Sequence, residues 1–163
     1  MRLVVQRSGP ARCLVNGSVT GAIPKGLVLL VSVDSEDEPR DIEWVGNKAA
    51  GLRVFPDEDG KMNRSLLDVQ EDWKREPSPD PARRPGVLSI SQFTLHGTVR
   101  KGFRPSFARA AGPEKGEEYY HLLNADLRDR GLYVAEGVFG AMMDIHLVNE
   151  GPVTILIDSK GTF

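Results

Sequence analysis

Leu27-Val28-Leu29-Leu30-Val31-Ser32-Val33 is an almost unbroken apolar run of strand length. Such a run is typical of a strand that is buried on both faces, so residues 27–33 are predicted to form a central strand of a sheet. Upstream, residues 12–15 and 18–20 flank Asn16-Gly17. Because Asn and Gly both tolerate the positive φ of a type I′ turn, this segment predicts a β-hairpin.

Two helices are predicted from apolar spacing and from their end signals. The first follows the acidic loop 34–38, has Pro39 near its start, and repeats apolar residues at Ile42, Val45, Ala49 and Leu52. Steps of three and four residues place such side chains on one face of a helix. The second helix is expected to begin at Pro113 and end at Gly131. Its predicted apolar side consists of Tyr119, Leu122, Leu123 and Leu127.

The remaining runs indicate the fold class. Further strands are predicted at residues 3–6, 52–55, 87–95, 132–135, 142–148 and 153–158. Since strands and helices do not alternate regularly, the pattern favours an α+β fold. We expect a single domain over residues 1–163, with a largely antiparallel or mixed, barrel-like sheet and two main helices. Pro77, Pro79, Pro81 and Pro85 fall among charged residues, which predicts an exposed, mobile insertion at about residues 70–86, anchored by Trp73.

Composition excludes several classes of protein. The chain has 163 residues, of which 40% are hydrophobic and 27% charged, which are globular values. It contains no apolar run of the ~20 residues that a membrane span needs, and its first residues do not resemble a signal peptide, so we expect a cytoplasmic protein without membrane association. With one cysteine and three scattered histidines, no disulfide, metal or other cofactor is predicted.

A basic segment interrupts an otherwise acidic chain of net charge -2. Residues 81–113 contain no acid but carry Arg83, Arg84, Arg100, Lys101, Arg104 and Arg109. A local positive field suits an anionic ligand such as a nucleic-acid end, and Phe103 and Phe107 within it could stack on unpaired bases. The alternative is a solvated basic loop whose phenylalanines pack inward.

Two further segments carry candidate chemistry. A strand that ends in Ser91-Gln92-Phe93-Thr94 offers hydroxyls, an amide and main-chain N–H groups that could hold a carbonyl oxygen or a water in ester hydrolysis, or it is an ordinary strand end. Gly151-Pro152 could adopt a cis bond and present two carbonyls to an ammonium group, or form a plain turn. Thr94 as a nucleophile with His96 as its base is not favoured, because no third residue in the sequence identifies itself as orienting the imidazole.

Together these segments resemble the D-aminoacyl-tRNA deacylase family over nearly the whole chain. The similar motifs include Leu52-Arg53-Val54-Phe55, Lys61-Met62-Asn63, Gly137-Val138-Phe139-Gly140 and Gly151-Pro152-Val153-Thr154. The resemblance implies a homodimer that hydrolyses the ester of D-aminoacyl-tRNA, and of glycyl-tRNA, to free tRNA and the amino acid. Such a reaction is chirality proofreading in translation.

The resemblance also implies roles for individual residues. Gly151 and Pro152 of one subunit would enter the partner's site, receive the substrate's α-ammonium on their carbonyls and exclude an L side chain. The opposite wall would consist of Ser91, Gln92, Phe93 and Thr94, with no obligatory side-chain nucleophile. Phe139 would seat the terminal adenine. The expected tRNA contacts are Phe139, Arg100, Lys101 and Arg104.

The sequence departs from the family pattern at several positions. Ser32 stands where the family usually has Gly, His96 where it has an aromatic residue, and Glu150 where it has Asp. Residues 70–86 stand where family members commonly have a short connection. Two other functions stay open at this stage: a relative that proofreads small L-amino acids on tRNA through a trans Gly-Pro bond, and a non-catalytic nucleic-acid-binding module.

Overall fold

The structure is a computed structural model that describes residues 1–100 and 102–161. These residues form eight strands and three α-helices. The strands are β1 (Arg2–Val15), β2 (Ser18–Ile23), β3 (Gly26–Ser32), β4 (Phe55–Pro56), β5 (Met62–Arg64), β6 (Gly86–Ser91), β7 (Val134–Glu136) and β8 (Asp144–Asp158). The helices are α1 (Pro39–Gly51), α2 (Leu66–Lys74) and α3 (Pro113–Asp129). Short 3₁₀ turns lie at Pro81–Arg83 and Phe93–His96.

The main sheet is mixed and nearly closes on itself. Its order is β2-β1-β3-β6-β7, and β8 pairs with β1 in addition. The pairs β3–β6 and β6–β7 are parallel, whereas the other pairs of this sheet are antiparallel. At Gly21, β2 approaches β7 so closely that a Cβ atom would overlap the carbonyl oxygen of Glu136. The predicted barrel-like, mixed sheet is therefore confirmed.

The central strand separates two apolar cores. Leu27, Leu29 and Val31 belong to the core beneath the helices, whereas Val28 belongs to a second core on the other face of the sheet. Because side chains alternate along a strand, this division shows that β3 is buried on both faces, as its sequence predicts. The hairpin is also confirmed, with Asn16 at φ 50° and Gly17 at φ 78° between β1 and β2.

The described residues form three α-helices rather than two, and the buried face of α3 differs from the predicted one. Helices α1 and α3 begin at Pro39 and Pro113 as expected. On α3, however, Leu122 is 45% exposed, and Tyr120 rather than Tyr119 is fully buried. The third helix, α2, covers part of the segment that was expected to be an exposed loop. Ser65 caps it, because Ser65 Oγ accepts a hydrogen bond from the Asp68 N–H.

The first part of the expected insertion is attached to the protein body. Gln70 is 1% exposed, and its Nε2 donates to the Gly131 carbonyl while its Oε1 accepts from the Tyr133 N–H. The later residues are largely exposed, but Arg84 packs its guanidinium 4.8 Å from the ring centre of Tyr133 and 5.6 Å from that of Trp73. The expectation of an exposed loop from residue 70 onward is thus wrong for its helical part.

Three predicted strand boundaries are also wrong. The strand at 87–95 ends at Ser91, because the chain turns at Gln92 into the 3₁₀ segment Phe93–His96. The strand expected at 52–55 is reduced to β4. The two runs at 142–148 and 153–158 are parts of one strand, β8, since Gly151-Pro152 lies in an irregularity between two stretches of β8 that both pair with β1, rather than in a separate turn.

Candidate active site

A cleft of about 800 Å³ opens where β6 ends. Four of the predicted catalytic residues and the predicted adenine-seating residue line it together: Ser91, Gln92, Phe93, Thr94 and Phe139. Most of its other lining is apolar and comes from Phe107, Ala110, Ala111, Met142, Met143 and Ile145. The cleft therefore combines a polar turn on one side with an apolar floor that can hold part of an organic ligand.

The polar turn is built by the end of β6. Gln92 donates its main-chain N–H to the Val31 carbonyl at 2.6 Å, and Gln92 Nε2 lies 2.5 Å from Thr94 Oγ1. The first N–H groups of a helical turn have no partner inside the turn, so those of Phe93–His96 are suited to hold a carbonyl oxygen. The amide of Gln92 and the hydroxyl of Thr94 lie beside them.

Aromatic rings form the two flanks of this turn. The ring of Phe93 meets that of Phe107 edge to face, with centroids 5.1 Å apart. On α3, a Cβ atom at Gly116 would lie 3.2 Å from Phe139 Cζ, so glycine leaves the space that the Phe139 ring occupies. Tyr120 supports the same ring at 6.1 Å. These contacts hold three flat apolar surfaces around the cleft.

The imidazole nitrogens of His96 face Ser32 and Asp34 rather than Thr94. His96 is buried beneath the turn, with Nδ1 2.6 Å from Ser32 Oγ and Nε2 3.3 Å from Asp34 Oδ2. Thr94 and His96 both lie in the 3₁₀ turn Phe93–His96 rather than in a strand. Burial, together with the positive charge of Arg2, lowers the pKa of His96. Sequence reasoning missed the contact with Ser32, which lies 64 residues earlier in the chain.

Gly151 and Pro152 do not line the cleft of their own chain. Both are exposed on β8, joined by a cis peptide bond. Asn149 holds the segment, because its Oδ1 accepts from the Val153 N–H at 3.2 Å and its Nδ2 donates to Thr154 Oγ1 at 3.0 Å. The dipeptide is thus fixed by neighbouring residues and presented at the surface.

The basic residues do not form one continuous field. Arg100 and Arg104 are exposed in a loop closed by the bridge between Thr98 and Ser106, whereas Lys101 lies outside the described residues. The other members of the predicted segment have protein partners. Arg109 lies 2.7 Å from Asp34, Arg83 lies 3.8 Å from Glu76, and Arg84 packs on two aromatic rings. Phe103 is fully exposed, whereas Phe107 packs inward.

Two other kinds of feature are absent from the described residues. Within 1–100 and 102–161, no group of three or more His, Cys, Asp or Glu side chains is placed to hold a metal ion. In the same ranges, no helix is long and apolar enough to cross a membrane.

Comparison with known proteins gives a consistent result. The family model described as D-Tyr-tRNA(Tyr) deacylase matches residues 4–158. Proteins named D-aminoacyl-tRNA deacylase from Bacillus cytotoxicus and Bacillus thuringiensis are each 48% identical over 160 residues, covering 98% of this chain and 100% of their own. A solved structure of a c-Myc DNA unwinding element binding protein is 35% identical, with a TM-score of 0.83, and covers 97% of this chain and 98% of its own.

A more distant structure supports the fold alone. It is described as a probable eukaryotic D-amino acid tRNA deacylase, is 17% identical, and superposes with a TM-score of 0.75 over 96% of this chain and 97% of its own.

Proposed function

The chain belongs to the D-Tyr-tRNA(Tyr) deacylase family, and we propose that its cleft hydrolyses the ester while its Gly151-Pro152 dipeptide selects between enantiomers. The enzyme hydrolyses D-aminoacyl-tRNA to free tRNA and the D-amino acid, which is proofreading in translation. Since its substrate is the aminoacyl-tRNA that ribosomes use, we infer a cytoplasmic enzyme. Glycyl-tRNA is a second substrate, because glycine has no side chain to be excluded.

One observation carries the proposed arrangement. The polar turn and the apolar flanks lie in one cleft, whereas Gly151 and Pro152 are exposed elsewhere on the same chain. A homodimer in which each dipeptide enters the partner's cleft accounts for both placements. Exposed apolar side chains at and near β8 support such an interface: Met142, Val148, Ile155 and Leu156.

The chemistry follows from the polar turn. The ester carbonyl oxygen binds the free N–H groups at the start of Phe93–His96, which stabilise the negative charge that develops when water adds to the carbonyl carbon. Gln92 and Thr94, whose side chains are in contact, position this water with Ser91. The ester C–O bond then breaks, and the proton released by water passes to the departing ribose oxygen. The 2′-hydroxyl of the same ribose assists, so no side-chain nucleophile is required.

Selection between enantiomers comes from the dipeptide. The carbonyls of Gly151 and Pro152 accept hydrogen bonds from the α-ammonium of the substrate, and this fixes the direction in which the side chain leaves the α-carbon. An L side chain then points into the dipeptide and is rejected by steric overlap, while D side chains of many sizes extend into the open cleft. Phe139 stacks on the terminal adenine, and Arg100, Lys101 and Arg104 contact the tRNA backbone.

The decisive experiment measures release of tyrosine from D-Tyr-tRNA and L-Tyr-tRNA by the purified protein and by Pro152→Ala. We expect hydrolysis of the D ester alone by the wild type, and a slower or less selective reaction by the variant. Binding of tRNA without hydrolysis of either ester would instead support the nucleic-acid-binding module. Preferential hydrolysis of a small L-aminoacyl-tRNA would support the proofreading relative.

Subunit mixing tests the shared site directly. Ala141 lines the cleft, so Ala141→Trp should block it whatever the mechanism. After random exchange of Ala141→Trp and Pro152→Ala subunits, half of the dimers are mixed and each mixed dimer has one intact site. Activity should rise above that of either variant alone, to about a quarter of the wild-type rate. If each site is built by one chain, mixing restores nothing.

A further inference from the structure

A buried chain of polar side chains lies beneath the Phe93–His96 turn. Ser32 Oγ lies 2.6 Å from His96 Nδ1, and His96 Nε2 lies 3.3 Å from Asp34 Oδ2. The same carboxylate oxygen lies 2.7 Å from Nη2 of Arg109, whose side chain is half exposed. Ser32, His96 and Asp34 are each at most 4% exposed. We call Ser32, His96, Asp34 and Arg109 the buried relay, because together they lead from the protein interior to its surface.

The buried relay has the composition of a nucleophilic triad but cannot act as one. Ser32 is 1% exposed and does not line the cleft, so its hydroxyl cannot reach an ester carbonyl. Thr94 does line the cleft, but its hydroxyl contacts Gln92 rather than an imidazole. Any effect of the buried relay on hydrolysis must therefore act through the turn above it.

The charges in the buried relay define its hydrogen bonds. Burial lowers the pKa of His96, so the ring is neutral at neutral pH. Burial opposes ionisation of Asp34, but the Glu36 N–H and the charge of Arg109 together lower its pKa, so it is a carboxylate. Because a carboxylate can only accept, we assign the imidazole hydrogen to Nε2, facing Asp34. Nδ1 then accepts from the Ser32 hydroxyl at 2.6 Å, and the single hydrogen of that hydroxyl is shared with the more distant Phe93 carbonyl at 3.3 Å.

The buried relay contacts the two chain segments that carry the Phe93–Phe107 flank of the cleft. Ser32 Oγ lies 3.3 Å from the Phe93 carbonyl oxygen, and His96 is the last residue of the turn. On the other side, the Ser35 N–H donates to the Arg109 carbonyl at 2.9 Å, two residues after Phe107. Asp34 therefore joins the turn, through His96, to the segment that follows Phe107, through Arg109 and the bridge to Ala110.

We propose that Ser32, His96, Asp34 and Arg109 are positioning residues for the hydrolysis, an inference that rests on the proposed function. Together they fix the distance between the turn and the Phe107 segment, and thereby the aim of the turn's N–H groups at the ester carbonyl. A misplacement of about 1 Å at reacting atoms can lower a rate by about a hundredfold. The loss of one contact in the buried relay is therefore expected to lower kcat by about tenfold.

A double-mutant cycle on D-Tyr-tRNA tests this inference. The variants are Ser32→Gly, His96→Phe and the combination of both, with Gln70→Met as a control that removes buried hydrogen bonds outside the buried relay and the cleft. Each single change is expected to lower kcat by about tenfold while KM changes by less than about threefold. Because the two residues act as a unit, the double variant should lose no more than the worse single one. Gln70→Met should lower Tm and leave kcat unchanged.

Arg109→Gln extends the test without altering the core, since this side chain is half exposed. Substitution of a member of the buried relay is expected to lower kcat, whereas substitution of a residue that only contacts tRNA is expected to raise KM. The inference is overturned if the losses of the two single variants multiply to about a hundredfold, or if the folded variants keep the wild-type kcat. Either result leaves the proposed function intact so long as the wild type hydrolyses D-Tyr-tRNA. An inactive wild type would refute the proposed function instead.

Discussion

Gln70→Met should lower stability strongly although it changes one side chain on a short helix. Gln70 is 1% exposed, and it satisfies the Gly131 carbonyl at 3.1 Å and the Tyr133 N–H at 3.0 Å. Met has a similar shape but can bond to neither group. Leaving a buried donor or acceptor unsatisfied costs about 1–3 kcal/mol each, so removing both bonds should cost about 2–6 kcal/mol.

Urea unfolding followed by circular dichroism measures this loss. The free energy of unfolding should fall with little change in the slope against urea, and Tm should fall by about 4–24 °C, given about 2–4 °C per kcal/mol for a chain of this size. Glu71→Gln is the matched control, because the neighbouring Glu71 is about half exposed and pairs with Lys74 at the surface. A loss below about 1 kcal/mol for Gln70→Met would show that α2 is not held to the body through Gln70.

Three further predictions concern the site and its support. The pKa of His96 is lowered in the folded state. The stability that the neutral ring contributes is therefore present above about pH 6.5 and is lost as the pH falls toward the folded pKa. In that range the free energy of unfolding changes by at most about 1.4 kcal/mol per pH unit. His96→Phe should abolish that slope in urea unfolding from pH 7.5 to 5.5. Asn149→Ala removes both bonds that hold the Gly151-Pro152 segment, so kcat/KM for D-Tyr-tRNA should fall by about tenfold with little change in Tm. Tyr120→Phe loses a buried hydrogen bond to the Ser89 carbonyl and should cost about 1 kcal/mol in thermal unfolding while the Phe139 ring stays in place.

The hairpin and the central strand could be predicted from the sequence, because each depends on residues that are neighbours in the chain. The hairpin follows from the backbone freedom of Asn16-Gly17, and β3 follows from its apolar run. Helix α2 also had a signal, since Ser65 and Asp68 form a capping box and Leu66 and Val69 lie three residues apart on its buried side. Its neighbouring prolines and charges suggested a loop instead. They fit residues 75–83, which are largely exposed, but they say nothing about residues 66–74.

The candidate site depends on contacts between distant parts of the chain. The turn was expected to continue a strand, because Ser, Gln, Phe and Thr all occur in strands. The structure ends β6 at Ser91 in register with Val31, and this parallel pairing brings Ser32 beneath the turn that follows. A register between strands 60 residues apart is fixed by the packing of the whole sheet. The sequence alone therefore identified the residues of the cleft without identifying what supports them.

Ser32 and His96 both depart from the family pattern, and their contact in the structure gives one reason for both. Glycine at position 32 would leave a space beneath the turn that a large aromatic ring at position 96 could fill. Serine instead places a hydroxyl in a buried position, where a polar group without a partner is costly. His96 supplies a nitrogen at 2.6 Å, and its second nitrogen faces the Asp34 carboxylate at 3.3 Å. Loss of Ser32 alone leaves His96 Nδ1 without this partner, and loss of His96 alone leaves Ser32 with only the longer contact to the Phe93 carbonyl, so the two residues are expected to be exchanged together.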